Sequence, residues 1–395
     1  MINIKKLRHD ITNTKKKYLS VPVSRIDNFF YWFYYIVLAH YGRSVFSPSK
    51  DTVYEKSFAK SGYDKYCEKI NKKLVLHGKP KKGNVPIFEL EELTPDVSDF
   101  LMRAQIPFVI RNGAQGLGIL DWNLDLLNDI AGDCDVPINE AKNQPSADHT
   151  KPSKAGLYYS FRRGKLSEVI KIIKKGNSMA SVSAAENVLY HADSRLREDI
   201  GIKRWENISG WNNLLAWGIK KKLWIGKIVT AQMLVQPGGA FTLWHMESGE
   251  NFFVLSKGRK NWELVHPKYT AAMRPRVKMN TNYIGSNIDF RESDEIQAKR
   301  GFNGYVNIPK LSVDLEPGDV LRVPNYWWHT ASTENHHHAI AATVRGISNA
   351  NLISPGCMLL SYLDPQLKPL IKSLQTEGRI YDHHIGHPRK SRTKL

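Results

Sequence analysis

Between residues 228 and 346 the chain is a succession of short apolar runs, each stopped by a residue that breaks a strand. The run 229–236 ends at Pro237-Gly238-Gly239, 252–255 ends at Lys257-Gly258, and 262–265 ends at Pro267. After a looser stretch, 268–313, come 320–323 and 339–344. Runs this short, with turn residues at such close spacing, read as strands of a barrel or sandwich. No repeat and no membrane-spanning segment accompanies them. The expectation is a mostly β fold with helical additions.

The rest of the chain is more mixed. Residues 1–82 read as a basic, partly helical region that closes on the Gly-Lys-Pro-Lys-Lys-Gly run at 78–83. Strands are expected near 87–90 and 107–113, a helix over 122–130 and a loop over 131–155. Helical segments mixed with loops are expected over 163–225, and helix again over 357–376. These readings divide the chain into 1–82, a main domain over 83–350 with its barrel core at about 228–346, and a C-terminal helical region, 351–395, with a basic tail.

Charge separates the ends from the middle. The net charge is +19, and residues 1–82 carry 18 Lys/Arg against 6 Asp/Glu. Four more basic residues crowd 389–394, so 83–388 is close to neutral. A basic arm admits nucleic acid, an anionic membrane surface or an acidic partner. The aromatic run 29–39 follows Lys15-Lys16-Lys17 and is short of the roughly 20 apolar residues a spanning helix needs. It is expected to pack on the main domain, with peripheral membrane association as the alternative. Cys67, Cys134 and Cys357 form no CxxC pair or disulfide framework, which favours a reducing, cytoplasmic setting.

The chemistry concentrates in two blocks. On extended chain, the period of two puts His245 and Glu247 on one face. A strand running through Pro324 into Tyr326-Trp327-Trp328-His329 offers a third donor. Two imidazoles and a carboxylate on one face leave open positions on an octahedral ion, which suits a non-haem Fe(II) site. His-x-Glu alone is a weak signal. His336-His337-His338 and His383, His384 and His387 read as exposed polar clusters. Asp133 and Asp135 lack the βαβ context of a nucleotide-dependent metal pair. No P-loop, Rossmann fingerprint or serine-hydrolase elbow is present.

In order and spacing these blocks resemble the JmjC and JmjC-like (cupin-8) oxygenases. Over 232–267 the chain is similar to the factor-inhibiting asparaginyl hydroxylase branch, and 107–113 is similar to the strand that opens such domains. The resemblance implies a double-stranded β-helix (cupin or jelly-roll) core flanked by N- and C-terminal helices. It implies Fe(II) held by His245, Glu247 and His329, and 2-oxoglutarate as co-substrate. It places Lys260 and Thr242 on the distal carboxylate of 2-oxoglutarate and Asn251 near its metal-proximal end. Arg345 falls where the family sets a polar residue facing the pocket, though a solvated strand-end Arg fits as well. Hydroxylation of a peptide or protein side chain is the implied function. A 2-oxoglutarate-independent metal cupin and a non-catalytic scaffold are the alternatives. The C-terminal helical region admits a homodimer, as in relatives. Glu247 departs from the commoner Asp, and 268–313 reads first as a solvated insertion, with a substrate-covering loop as the other reading.

Overall fold

The computed structural model describes residues 4–18, 23–45, 58–78, 82–115, 118–141, 159–176, 180–185, 224–277 and 283–348. Three helices come first: α1 (Ile4–Tyr18), α2 (Arg25–Val45) and α3 (Phe58–His77). They are followed by β1 (Lys82–Asn84), β2 (Ile87–Glu89), α4 (Pro95–Ala104), β3 (Phe108–Arg111), α5 (Leu124–Ala131), β4 (Asp135–Ala141), β5 (Tyr159–Lys165), α6 (Leu166–Lys175) and β6 (Ala180–Ala185). The strands that hold the chemistry are β7 (Trp224–Gln236), β8 (Phe241–Glu247), β9 (Glu250–Lys257) and β10 (Lys260–Val265). Then come β11 (Tyr283–Gly285), α7 (Asp294–Lys299), α8 (Asn303–Val306), β12 (Lys310–Leu315), β13 (Val320–Val323), β14 (Trp328–Thr333) and β15 (Ala339–Ser348).

The strands form two sheets, ordered β1-β12-β10-β14-β8-β11 and β2-β3-β13-β9-β15-β7-β6-β4-β5. From β7 to β10 the chain changes sheet at every strand, and it does so again from β12 to β15. That winding is the double-stranded β-helix expected from the sequence. Leu255 and Leu321 of the larger sheet meet Leu264 and Val313 of the smaller one in a shared inner core. The outer face of the larger sheet is buried under α4, α5 and α6.

The outer face of the smaller sheet explains the basic N-terminal region. Trp244, Met246, Val265 and Trp328 pack there against Tyr31, Trp32 and Tyr35 of α2 and Cys67, Ile70 and Leu74 of α3. Asp27 of α2, itself buried, ties the two helices by pairing with Lys69 at 2.6 Å and Lys73 at 2.7 Å. The aromatic run is therefore a helix packed on one face, through Tyr31, Trp32 and Tyr35, with Phe29 and Phe33 exposed on the other. No helix among the described residues is long and apolar enough to cross a membrane. The C-terminal helical region expected at 351–395 lies outside the described residues.

Three expectations need correction. The stretch expected to mix helices with loops over 163–225 also carries β6, paired with β4 and β7. The stretch expected to be loop over 131–155 contains β4, whose Val136 and Ile138 are fully buried. Its alternation was obscured by Pro137 and the polar residues on its other face. The stretch 268–313 is not a solvated insertion. Tyr269, Ala271, Ala272 and Met273 are buried, and β11 adds an edge strand beside β8.

One glycine governs the turn that presents Lys260. Gly258, between β9 and β10, has φ +84°, and a Cβ there would lie 2.3 Å from the carbonyl oxygen of His338. Gly258→Ala is expected to cost about 1–3 kcal/mol, read as a lower urea midpoint at unchanged m-value.

Candidate metal centre

Packing on one side of β8 dictates what faces the other. Trp244 and Met246 are held under α2 and α3, so His245 and Glu247 turn into the space between the sheets. His329 is paired with His245 across β14 and β8, and partners in register project to the same face. The two rings lie 4.1 Å apart between centroids, and His245 Nε2 is 3.9 Å from Glu247 Oε1. One donor atom from each of the three lies within 4.8 Å of the others, and all three side chains are largely buried.

The imidazoles share a device that fixes their tautomers. His245 Nδ1 is 2.8 Å from the carbonyl oxygen of Leu243, and His329 Nδ1 is 2.9 Å from that of Trp327. A carbonyl only accepts, so each Nδ1 carries the hydrogen and each Nε2 keeps its lone pair. Burial first, and for His245 the neighbouring His329 next, pushes both rings below the usual histidine range, so they are neutral at pH 7. Trp262 stacks on His329 at 5.6 Å and Tyr283 on His245 at 4.6 Å. The turn ahead of His329 is tied to the strand end that bears Glu247. Tyr326, at φ +61°, donates its N–H to the Glu247 carbonyl at 2.7 Å, and Asn325 Nδ2 donates to Ser248 at 2.6 Å. A left-handed Tyr is costly, and these bonds hold it.

The other residues singled out in the sequence line the same space. Thr242 lies three residues before His245, a spacing that would send it outward on a regular strand. A bulge between His329 and Ala331 pairs Thr242 with Ala331, which belongs to the inner core, and returns it to the inner face. Lys260 is 2% exposed and donates to Gln236 Oε1 and, at 3.0 Å, to Thr333 Oγ1. With no carboxylate beside it among the described residues, burial pushes its pKa down to about 7. Asn251 shares its inner face with Phe253 and Leu255, and its buried Oδ1 has no hydrogen-bond partner. Thr343 Oγ1 and Trp262 Nε1 are buried without partners too. Buried polar atoms are ordinarily satisfied, so Asn251, Thr343 and Trp262 leave three polar groups open between the sheets.

Arg345 is not a solvated strand-end residue. Its Nε and Nη2 donate to Glu247 Oε2 at 2.8 Å and Oε1 at 3.0 Å, and Nη1 donates to Gln232. Sequence reading did not find Tyr283. A three-residue edge strand inside a long polar stretch leaves no periodic signal.

Two imidazoles with free Nε2 lone pairs and one carboxylate suit a borderline divalent ion, so the donor set fits an Fe(II) site. Arg345 takes one lone pair on each Glu247 oxygen and leaves the others free.

A family model described as a cupin-like domain matches residues 95–346, well over half of the chain. The chain is similar to HSPB1-associated protein 1 of Homo sapiens, 33% identical over 114 residues, which are 28% of this chain and 20% of that protein. Its homolog in Danio rerio is 35% identical over 87 residues, 22% of this chain and 18% of that protein. The bifunctional lysine-specific demethylase and histidyl-hydroxylase NO66 of Aedes aegypti is 32% identical over 100 residues, 25% of this chain and 13% of that protein. The chain thus spans a fifth or less of the length of these relatives.

Proposed function

Because this chain belongs to the cupin-like domain family, we propose that it is an Fe(II)- and 2-oxoglutarate-dependent oxygenase that hydroxylates a peptide or protein side chain. The observation that carries the reading is the convergence of His245, Glu247 and His329, with both Nε2 atoms freed by their own backbone bonds, together with a buried Lys260 that has no carboxylate partner among the described residues. A relative named as a histidyl-hydroxylase supports a protein substrate.

His245, Glu247 and His329 would hold Fe(II). Bound with 2-oxoglutarate and O₂, that ion supplies the oxidising power to convert a C–H bond to C–OH, while the co-substrate leaves as succinate and CO₂. The chain's own residues bind and orient. Lys260 offers an ammonium to the distal carboxylate, replacing its bonds to Gln236 and Thr333 with a charge-assisted one. Thr242 would donate to the same group, and Asn251 would meet the metal-proximal end. Trp262 and Tyr283 sandwich the two imidazoles and keep bulk water from them. A place near the asparaginyl hydroxylase branch, suggested by the pattern over 232–267, belongs to this reading as well.

The test is succinate formation by purified, Fe(II)-loaded protein, beside His245→Ala. Turnover that needs Fe(II) and is lost in the variant supports the proposal; no turnover and no binding of 2-oxoglutarate would remove it.

The bidentate Arg345–Glu247 pair favours a second reading, a scaffold that keeps the fold without the metal. Placing a divalent charge on a carboxylate that already holds a guanidinium costs on the order of a few kcal/mol at an effective dielectric near 20. That exceeds the benefit of orienting one carboxylate. Arg345→Asn is therefore expected to bind Co(II) about tenfold or more tightly than the unaltered protein, measured by calorimetric titration. A weaker affinity in Arg345→Asn would mean that Arg345 helps to position Glu247 for the ion.

A further inference from the structure

Strand β11 sets Tyr283 opposite Glu247 and Gly285 opposite His245. Partners in register share a face, so whatever lies over Gly285 lies beside His245. Gly285 leaves that place open, and it is filled from elsewhere. A Cβ at Gly285 would be 3.7 Å from Tyr283 Cε1 and 3.9 Å from both Cζ and Nε of Arg276. Arg276 arrives there because its backbone is pinned on both sides. Its N–H donates to the Gly285 carbonyl at 2.8 Å, and its own carbonyl accepts from the Tyr35 hydroxyl at 3.3 Å. Helix α2 thus fixes the segment that brings the guanidinium to the face of β11 that Tyr283 and Gly285 share.

Four other arginines around the barrel are matched to acids, while Arg274 instead reaches the Gly301 carbonyl and the Phe302 ring. Arg291 pairs with Asp289, Arg300 with Glu292, Arg322 with Glu250, and Arg345 with Glu247. Arg276 is half-buried and has no carboxylate within ion-pair distance among the described residues. The adjoining stretch 278–282 contains no Asp or Glu. A partly desolvated guanidinium without a counter-charge is an unfinished anion site, and an aromatic ring beside it supplies a flat wall.

We propose that Arg276, walled by Tyr283, binds a carboxylate of the substrate, so that the site takes acidic peptides, with Asp or Glu next to the residue presented to His245, Glu247 and His329. The inference rests on the reading of this site as a peptide oxygenase and adds its substrate class. A single guanidinium on a nearly neutral middle region suits one side-chain carboxylate better than the run of phosphates in a nucleic acid, which calls for a basic stripe.

Two fluorescein-labelled degenerate peptide pools, identical except that every Asp and Glu of one is Asn or Gln in the other, test this by anisotropy with the full chain. The acidic pool is expected to bind about tenfold or more tightly than the amide pool. The basic ends of the chain also attract acids, so the variants decide. Arg276→Gln should erase most of the preference, and Arg276→Lys should keep most of it, while both retain the backbone bonds to Gly285 and Tyr35. Equal binding of the two pools, binding of neither, or a preference unchanged in Arg276→Gln would overturn the proposal. Displacement of the acidic pool by lower concentrations of a poly(U) oligonucleotide would do so as well. If the preference holds and depends on Arg276 in a protein that turns over no 2-oxoglutarate, the acid-binding site stands and the oxygenase reading falls.

Discussion

His329→Ala is expected to lower Co(II) affinity by more than about a hundredfold and to end 2-oxoglutarate turnover. Loss of an outer-shell partner alone typically costs ten- to a hundredfold, and this change removes a donor. The remaining pair, His245 and Glu247, lies on one strand and cannot close a facial site from a single side. The imidazole also fills space against Trp262 and His245, so alanine leaves a gap that could weaken the fold by itself. His329→Gln keeps most of the volume and removes the ring nitrogen. Affinity lost in both variants, with urea midpoints near that of the unaltered protein in His329→Gln, assigns the effect to the donor. Full Co(II) affinity in His329→Gln would end the three-ligand description.

Lys260→Met should weaken 2-oxoglutarate binding by about a hundredfold, the cost of removing one member of a buried charge-assisted pair. The same substitution should stabilise the ligand-free protein, and the pH dependence separates the two effects. The ammonium titrates at about 7 in the folded chain against 10.5 for a free lysine side chain. Between those values the unfolded chain holds more protons, so stability rises with pH. The penalty of the buried cation is fully present below pH 7 and gone above about pH 10.5. Lys260→Met is thus expected to raise the urea midpoint at pH 6.5 and to change it little at pH 10.5. Affinity for 2-oxoglutarate in the unaltered protein should fall as pH rises through 7 and beyond, since the dianion needs the charged form. Affinity that stays flat from pH 6.5 to 9 would remove Lys260 from the co-substrate site.

What could be read before any coordinates followed from periodicity and its interruptions. Five strands of 228–346 announce themselves as apolar runs closed by Gly or Pro; β11, β12 and β14, shorter or more polar, do not. The pairing of His245 with Glu247 follows from a period of two. The place of His329 is legible only through the Pro-turn-Trp-Trp block ahead of it. Thr242 shows the limit: three residues from His245 is the wrong parity for a shared face, and only the bulge opposite Ala331 resolves it. Arg345 could be placed on a strand but not assigned a partner, because its contact with Glu247 crosses between the two sheets. Tyr283 and Arg276 were illegible for a related reason. Both owe their position to an edge strand of three residues, whose pairing with β8 has no counterpart in sequence pattern.

The alternation of strands between sheets also fixes the order in which the site can come into being. The strand with His245 and Glu247 does not pair with the next strand in sequence; it takes the short edge strand β11 on one side and meets β14, which carries His329, only roughly eighty residues later, and closing so long a loop comes late and at entropic cost. A growing chain that ends before β14 holds two donors and no site. An ion that needs all three therefore has no purchase on the early collapse, and its grip is felt when the finished barrel tries to come apart. Metal at this centre would set the lifetime of the folded chain and leave its rate of formation untouched.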